Sequence, residues 1–593
     1  MNSKTLIVLA GLMILTALIV VSCTQPTPEI KTVKETVVVK ETVVVRQTVP
    51  PPTAAPQATA APKPLPPTAK LEIGSSNLAT GLHNVVINTP VQLLSSGYDP
   101  RVPVTRTAWT LTVPPGSQAK LKDAAASKTE FTPDLAGTYK VDLILHNAAG
   151  ASPMASVKIN AGTLAGDNEK NCATCHPAKV TGWVKTKHAK ATPSAQCEQC
   201  HGPASEHLKG GRVMATSVLN GACDVCHLGT GNRLMGAQIQ SAQMFLGSTF
   251  EMIFDSKHYY GTTFDEIQGP TRQACARCHS GYGYVSFLDN PKNMAAWDNT
   301  KSYIGCATCH DPHGGNNFAQ LRMVGKPIEL PFEAKDVGLS ATCFECHNAR
   351  NKPADAIRSQ FPHYASNAEL LSDTGGVTYG ATVPNSPHGM LVGAAPVPNP
   401  ADKTGKTMLF GGQKPGPCVV CHMWPVLSDA NDPNYKYRKE TGGHSFNTIS
   451  KDAKFEYTAS CKSCHGDIKD FNLKAKADYD GNGKVEGVKQ ETKGLLNAVW
   501  KALETKGVKQ TGNNPYWIPP RDAQGNVDDK LDNAWFNYRT VYGVMWHADG
   551  DKIVPGNEGA MQAAHNFKRS CALLQLSLKD LGALPTTAAD CTK

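Results

Sequence analysis

The most chemically specific feature of the sequence is a five-residue pattern, Cys-x-x-Cys-His, that occurs eight times between residues 172 and 465. The cysteines of these motifs are Cys172, Cys175, Cys197, Cys200, Cys223, Cys226, Cys275, Cys278, Cys306, Cys309, Cys343, Cys346, Cys418, Cys421, Cys461 and Cys464. Each pair is followed directly by a histidine, and these are His176, His201, His227, His279, His310, His347, His422 and His465. With 19 cysteines and 19 histidines in 593 residues, chance does not produce eight copies.

This spacing matches the chemistry of covalent haem attachment. Two thiols three residues apart reach the two vinyl groups on one edge of a porphyrin, and the next residue then places its imidazole under the iron. A structural zinc site needs two such half-sites for each metal and gives no reason for a histidine after every second cysteine. The sequence therefore predicts eight covalently attached c-type haems. We number the motifs and their haems 1 to 8 in chain order.

Eight haems change what composition and charge imply. The chain is 40% hydrophobic and 18% charged, which is typical of globular protein. Each porphyrin would be served by about 37 residues, so we expect the macrocycles to form much of the core, with little regular secondary structure around them. The formal charge is +9, but the haem propionates would lower it to about −7, so the basic balance does not predict a nucleic-acid partner.

The second axial position of each iron decides between an electron carrier and an enzyme, because a second imidazole closes the iron to substrates. His83 and His146 fall in a predicted β-domain and are expected on its surface. Nine other histidines lie outside the motifs: His188, His207, His258, His313, His363, His388, His444, His547 and His565. Nine candidates for eight irons predict bis-histidine ligation with one histidine to spare. The 14 methionines offer an alternative ligand that would raise the potential.

Several of these histidines stand in settings that resemble the secreted multihaem cytochromes c of bacterial respiratory and extracellular electron-transfer chains. The settings are CEQCHGPASEH from Cys197, CATCHDPHG from Cys306, NSPHGM from Asn385 and GGHSF from Gly442. The resemblance, which covers about residues 162–593, implies that His207, His313, His388 and His444 are distal ligands. The stretches WVKTKH and PHY match less strictly and add His188 and His363, whereas His258 follows from the count alone.

His547 and His565 compete for the last position. His547 lies in MWHADGD beside a predicted turn, and His565 lies in AHNFKRSCALL on a helix predicted from about Glu558 to Leu581. The second setting resembles the C-terminal His-Asn-Pro helix of multihaem cytochromes, although Phe567 replaces the proline. We therefore assign His565 as the ligand and His547 as the spare.

The N-terminus predicts export. Residues 1–22 carry Lys4 and an apolar run, and Val20-Val21-Ser22-Cys23 resembles a lipobox, in which Cys23 becomes the lipid-modified first residue. An uncleaved helical anchor is the alternative. Residues 23–70 contain a Val-Lys-Glu-Thr-Val-Val repeat and a Pro/Ala-rich spacer, which predict a stalk on that membrane anchor. The Val-rich repeat could instead be an oligomerising β-segment.

Residues 71–161 predict a small β-domain. Apolar and polar residues alternate from Tyr139 to His146, a turn follows at 147–150, and a second strand is expected over 156–159. The stretch FTPDLAGTYKVDLILHNAAG resembles the immunoglobulin-like PKD domains. The predicted fold is therefore multidomain: an N-terminal immunoglobulin/PKD-like β-sandwich, an octahaem cytochrome c region over residues 162–475, and α-helices over residues 476–593.

The C-terminal region offers two further sites. Asp478, Asp480 and Asn482 match the first half of a calcium loop, although Lys489 takes the position of the usual bidentate glutamate, and a plain Asp/Gly turn is the alternative. Apolar residues at helical spacing predict a helix over residues 487–506. Cys571 and Cys591 lie outside every haem motif and are predicted to form a disulfide, as exported cysteines do.

Together these features predict an electron-transfer protein at the cell surface or in the periplasm, working with other redox proteins or extracellular electron acceptors. Whether copies polymerise into a filament is open at this point. The alternative is a multihaem reductase of nitrite, hydroxylamine or a sulfur oxyanion. Many such enzymes resemble this chain in haem density but keep a lysine-ligated active haem, and none of the eight motifs here ends in lysine.

Overall fold

The computed structural model describes residues 66–210, 223, 271–542 and 562–592, with short gaps inside these ranges. The predicted signal peptide, Cys23, most of the stalk, His258, His363, His547 and all of motif 3 except Cys223 lie outside the described residues. No helix in the described ranges is long and apolar enough to cross a membrane.

The N-terminal region is built from two β-sheets packed on one core. Its strands are β1 (Lys70–Gly74), β2 (Asn84–Val86), β3 (Val91–Ser96), β4 (Arg106–Thr112), β5 (Lys128–Phe131), β6 (Gly137–Asn147), β7 (Gly150–Ala151) and β8 (Ala155–Gly162). One sheet has the order β1-β3-β5, and the other has the order β2-β8-β6-β4 with β7 beside β6. All pairs are antiparallel except β2 with β8.

Strand β6 supplies the centre of this core. Tyr139, Val141, Leu143 and Leu145 are each at most 1% exposed, which confirms the period-two pattern read from the sequence. The Tyr139 hydroxyl donates to the carbonyl of Leu135 at 3.0 Å and accepts from its N–H at 3.1 Å. A tyrosine bonded to backbone a few residues upstream is a feature of immunoglobulin-like domains.

The central region contains only short helices. They are α1 (Asn168–Ala173), α2 (Pro177–Trp183), α3 (Lys187–Lys190), α4 (Cys197–His201), α5 (Ser205–Leu208), α6 (Thr271–His279), α7 (Gly281–Asp289), α8 (Cys306–Cys309), α9 (Ala341–Cys346), α10 (Asn367–Leu371), α11 (Gly416–His422) and α12 (Lys462–His465). None of these described helices exceeds nine residues. A Cys-x-x-Cys pair in a single helical turn points both thiols to the same side, as attachment to one porphyrin requires.

The C-terminal region is a three-helix core. Helices α13 (Val488–Thr505), α14 (Asp529–Tyr542) and α15 (Gln562–Asp580) pack together around fully buried leucines such as Leu495, Leu503 and Leu574, and a two-stranded hairpin of β9 (Lys509–Thr511) and β10 (Tyr516–Ile518) follows α13. Helix α13 confirms the prediction over residues 487–506. A disulfide joins Cys571 to Cys591 inside this core.

Candidate haem-binding site

Within the described part of the chain, five motif histidines lie opposite a histidine from elsewhere in the sequence. Their ring centres are separated by 6.3 Å for His176 and His207, 5.6 Å for His201 and His313, 6.3 Å for His310 and His444, 6.3 Å for His422 and His565, and 6.1 Å for His465 and His388. Two imidazoles that ligate one metal from opposite sides have centres about 6 Å apart, because each metal–nitrogen bond is about 2 Å and each nitrogen lies roughly 1 Å from its ring centre. These residues therefore fit an iron between each pair of rings.

Hydrogen bonds orient several of these rings. Nδ1 of His310 lies 2.6 Å from the carbonyl oxygen of Ala319, and Nδ1 of His422 lies 2.7 Å from that of Phe446. Since a carbonyl can only accept, Nδ1 carries the proton in both rings, which leaves Nε2 deprotonated and able to ligate a metal. Bonds of this kind fix the ring and strengthen it as a ligand.

Burial lowers the pKa of four of the paired histidines, which are His310, His313, His422 and His565. It lowers the pKa of His565 to about 3, and the nearby His422, His388 and His347 lower that pKa further in the same direction. Burial, followed by His201, lowers the pKa of His313 to about 4. A neutral imidazole is the form that ligates iron, so the protein prepares these side chains for the role that the sequence predicts.

One tight turn in the segment GGHSF serves two haem positions. Gly442 has φ 73°, and a Cβ atom there would lie 2.6 Å from the carbonyl oxygen of Trp424, so only glycine fits. Phe446 is also left-handed, at φ 55°, and its carbonyl accepts from His422 of motif 7. Between them, His444 faces His310 of motif 5. The turn therefore brings motifs 5 and 7 to the same place.

A break in α15 presents His565 to motif 7. Asn566 leaves the helical conformation at φ −162° and ψ 87°, and its side chain is fully buried. Its Nδ2 donates to the carbonyl of Leu370 at 2.8 Å and to Oδ1 of Asp373 at 2.7 Å, while its Oδ1 accepts from the N–H of Arg569 at 2.9 Å. The helix therefore restarts at Asn566, capped by that side chain, and His565 lies just before the break.

The β-domain is fastened directly to motif 2. Nδ2 of Asn84, in β2, donates to the carbonyls of His201 at 3.1 Å and Pro203 at 3.0 Å. The buried carboxylate of Glu198, inside motif 2, accepts from the N–H groups of Ala165, Gly166 and Ala204. These hydrogen bonds hold the segment between the β-domain and the central region against motif 2.

Five of the eight predicted distal ligands face a motif histidine in the described residues. They are His207, His313, His388, His444 and His565. His188 lies near motif 5, where it bonds to the backbone of Pro312 and affects the pKa of His310. His258, His363 and the spare His547 lie outside the described residues.

Comparisons with known proteins agree with this geometry. The family model for the doubled CXXCH motif matches residues 302–352, which hold motifs 5 and 6. The C-type polyheme cytochrome OmcB of Geobacter sulfurreducens is 23% identical over 426 residues, which are 62% of this chain and 51% of that protein. These findings support a multihaem c-type cytochrome. OmcC of the same organism is 24% identical over 329 residues, which are 46% of the chain described here and 38% of OmcC.

The multiheme cytochrome MtrA of Shewanella baltica is 23% identical over 206 residues, covering 31% of the chain and 54% of its own length. The chain thus spans about half the length of the curated relatives it matches, or less. A solved PKD domain from the KIAA 1837 protein aligns with 16% of the chain and 93% of its own length at 22% identity, but its TM-score of 0.13 is too low to support an argument about the fold.

A second candidate site is formed by the loop before α13 and the first turn of that helix. Carboxylate oxygens of Asp478, Asp480 and Glu491 lie within 4.8 Å of one another. Glu491 is fully buried and accepts from the N–H groups of Tyr479 and Glu486. Burial, followed by Glu491 and Asp478, raises the pKa of Asp480 to about 6. Three converging carboxylates are the oxygen ligands that Ca²⁺ prefers.

Sequence reasoning missed Glu491. The expected glutamate position holds Lys489, whose Nζ pairs with Glu456 at 3.0 Å. Glu491 follows two residues later in the first turn of α13, and the helix brings it back over the loop. The side-chain amide of Asn482 donates to Asp480 at 3.0 Å, so the loop also holds the third predicted residue at this cluster. The sequence signal that could have identified Glu491 as a ligand was an acidic residue in the first turn of the helix predicted directly after the loop.

Proposed function

We propose that this protein is an electron carrier, an octahaem c-type cytochrome whose irons are all closed by two histidines. The observation that supports this most directly is the set of five opposed histidine pairs, with ring centres 5.6 to 6.3 Å apart. Covalent haem supplies the one-electron chemistry. The chain's own task is to hold each iron between two imidazoles, which excludes substrate from the metal and favours low potentials.

The proposed ligand sets follow from these pairs. His176 and His207 hold haem 1, His201 and His313 hold haem 2, His310 and His444 hold haem 5, His422 and His565 hold haem 7, and His465 and His388 hold haem 8. The remaining distal ligands, His188, His258 and His363, then serve haems 3, 4 and 6. His547 is not a ligand in this assignment.

We further propose that the protein is exported and anchored by lipid on Cys23, so that the stalk carries the haem region away from the membrane. The lipobox-like sequence and the Pro/Ala-rich spacer support this arrangement. Electrons would then pass to other redox proteins or to extracellular acceptors, and head-to-tail assembly into a filament would extend the path. The cluster of Asp478, Asp480 and Glu491 would hold a structural Ca²⁺ ion.

The reductase alternative makes a different experimental prediction. A carrier with closed irons binds little cyanide or nitrite and shows negligible turnover with nitrite or hydroxylamine. The test is a steady-state assay of the purified holoprotein with a chemical reductant, with cyanide binding followed by absorbance. Rapid reduction of either substrate, together with stoichiometric cyanide binding to one haem, would overturn the carrier proposal.

A further inference from the structure

Hydrogen bonds, ring contacts and an ion pair join residues of different motifs, and these contacts indicate which haems are neighbours. Each motif fixes one porphyrin through its two thiols and its histidine, so two motifs in contact place two porphyrins side by side. We infer that the haems form a connected path in the order 1–2–5–6–7–8, and that haem 4 joins this path as a branch at haem 6. This inference rests on the proposed function and concerns the route that electrons take.

The path begins with motifs 1 and 2. Helix α1, which contains Cys172, packs against α4, which begins at Cys197. His176 of motif 1 faces His207, which follows motif 2 by only six residues. Both the thiol side and the distal side of haem 1 are therefore built next to motif 2.

The path then passes from motif 2 to motif 5, skipping two motifs in sequence. His201 faces His313, with Nε2 atoms 3.4 Å apart, and His313 lies three residues after His310 of motif 5. Three residues span at most about 10 Å of chain, so haem 2 cannot be far from haem 5. The backbone of His313 also passes close to α2, which follows motif 1, because a Cβ atom at Gly182 would lie 2.2 Å from the carbonyl oxygen of His313.

Motif 6 is the junction, since its residues contact several other motifs. Phe344, inside motif 6, lies in one buried apolar cluster with Met323, which follows motif 5, and Cys418 of motif 7 packs against this cluster. On the motif 7 side, the Ser340 hydroxyl donates to the carbonyl of Pro415 at 2.8 Å and accepts from the N–H of Val419 at 3.0 Å. Haems 5 and 7 therefore both neighbour haem 6.

Motif 6 also contacts motif 4. The sulfur of Cys278, in motif 4, lies 3.7 Å from the carbonyl oxygen of Glu345, in motif 6. Arg277 of motif 4 and Glu345 of motif 6 form an ion pair at 3.5 Å, with the Glu345 side chain 1% exposed. An ion pair buried between two motifs fixes their approach, and we assign it to the branch point.

Motifs 7 and 8 complete the path. Helix α11, which contains motif 7, packs against residues 459–461, which lead into motif 8. Nδ1 of His388, which faces His465 of motif 8, lies 3.3 Å from the carbonyl oxygen of His565, which faces His422 of motif 7. The ring of one distal ligand is thus hydrogen-bonded to the backbone of the other.

The two ends of this path are the motifs that reach the surface. Among the described motif cysteines, Cys175 of motif 1 and Cys464 of motif 8 are exposed, and the others are at least partly buried. Among the haems of the described motifs, haems 1 and 8 are therefore the terminals at which donor and acceptor meet the chain, and haem 6 is an internal junction with three neighbours.

The direct test is the set of eight iron positions in crystals of the oxidised holoprotein, from anomalous scattering at the iron edge, with each iron assigned to its motif in the density. The expected neighbours along the path are 1–2, 2–5, 5–6, 6–7 and 7–8, with 4–6 as the branch. Haems 5 and 7 should also lie near each other, because the turn at residues 442–446 contributes to both. A path that follows the sequence order, or a haem 6 without contact to both haem 4 and haem 7, overturns the inference. If either of these results is found while all haems are low-spin, the path is wrong and the carrier proposal still stands. If the irons lie in the expected order but one haem is high-spin and binds substrate, the path stands and the carrier proposal is wrong.

A potentiometric titration tests the branch independently. In Glu345→Gln, loss of a buried carboxylate leaves the Arg277 cation between haems 4 and 6, so two of the eight redox components should shift to higher potential. The matched control is Glu130→Gln, which removes an ion pair with Lys122 in the β-domain and should shift none. A shift of a single component, or of none, with the holoprotein folded, contradicts a shared junction between haems 4 and 6.

Discussion

Replacing Asn566 with alanine should both destabilise the C-terminal core and release the ligand of haem 7. The side chain makes three buried hydrogen bonds, two from Nδ2 and one to Oδ1, and one of them reaches the carboxylate of Asp373. A buried hydrogen bond contributes about 1 kcal/mol and leaves its partner unsatisfied when removed, so the loss should be about 3 kcal/mol. His565 adjoins this residue, so its ring should lose its fixed position opposite His422.

The assay combines two measurements on the holoprotein. The denaturant midpoint followed by far-UV circular dichroism reports stability, and the ferric electron paramagnetic resonance spectrum reports how many haems become high-spin. We expect a lower midpoint and one high-spin haem of eight. Asn566→Asp keeps the helix cap but loses both donors and repels Asp373, so it should show the same two effects.

The control is Asn526→Ala, which removes an exposed bond to Asp522 at 3.1 Å and should change stability by less than about 0.5 kcal/mol. An Asn566→Ala protein with an unchanged midpoint and an entirely low-spin spectrum would refute the claim that this residue positions His565. Lower stability with all haems low-spin would restrict Asn566 to a structural role.

Four other predictions concern the disulfide, the acidic cluster and His547. The double variant Cys571→Ala/Cys591→Ala should lose roughly 3 kcal/mol of stability, because the disulfide closes a loop of 20 residues; an unchanged denaturation midpoint would contradict this. Glu491→Gln should abolish Ca²⁺ binding measured by isothermal titration calorimetry. In the parent protein Ca²⁺ affinity should be highest well above pH 6 and should fall as the pH drops through about 6. The reason is that burial raises the pKa of Asp480 to about 6, and the protonated carboxyl group does not bind the ion. A pH-independent affinity would show that Asp480 is not a ligand. His547→Gln should leave the low-spin spectrum unchanged, and a new high-spin signal would make it a ligand.

The features that sequence reasoning predicted well are those set by local patterns. The alternation in β6 and the apolar spacing in α13 depend on neighbours along the chain, so their faces could be read directly. The Cys-x-x-Cys-His motifs are equally local. His565 was proposed as a ligand from a short sequence resemblance, and the structure brings it to His422, whereas His547 lies outside the described residues and its exclusion stays a prediction.

The features that were missed depend on contacts between distant segments. Helix α14 is buried on all sides from Ala534 to Tyr542 and includes the polar Asn537 and Arg539, so it has no amphipathic face for a periodicity search to find. The role of Glu491 depends on how α13 folds back over the loop. The approach of motif 6 to motifs 4 and 7 depends on tertiary packing across more than 60 residues, which spacing along the chain does not encode.

The most direct test of the account is to count haems and their spin states in one sample of the purified, oxidised protein. Whole-protein mass spectrometry gives the number of covalent haems, and quantitative electron paramagnetic resonance gives the share of ferric iron that is low-spin. The account predicts eight haems, all low-spin, because every iron has two histidine ligands. Fewer than eight haems in fully matured protein, or a stoichiometric high-spin signal from the unmodified chain, would contradict it.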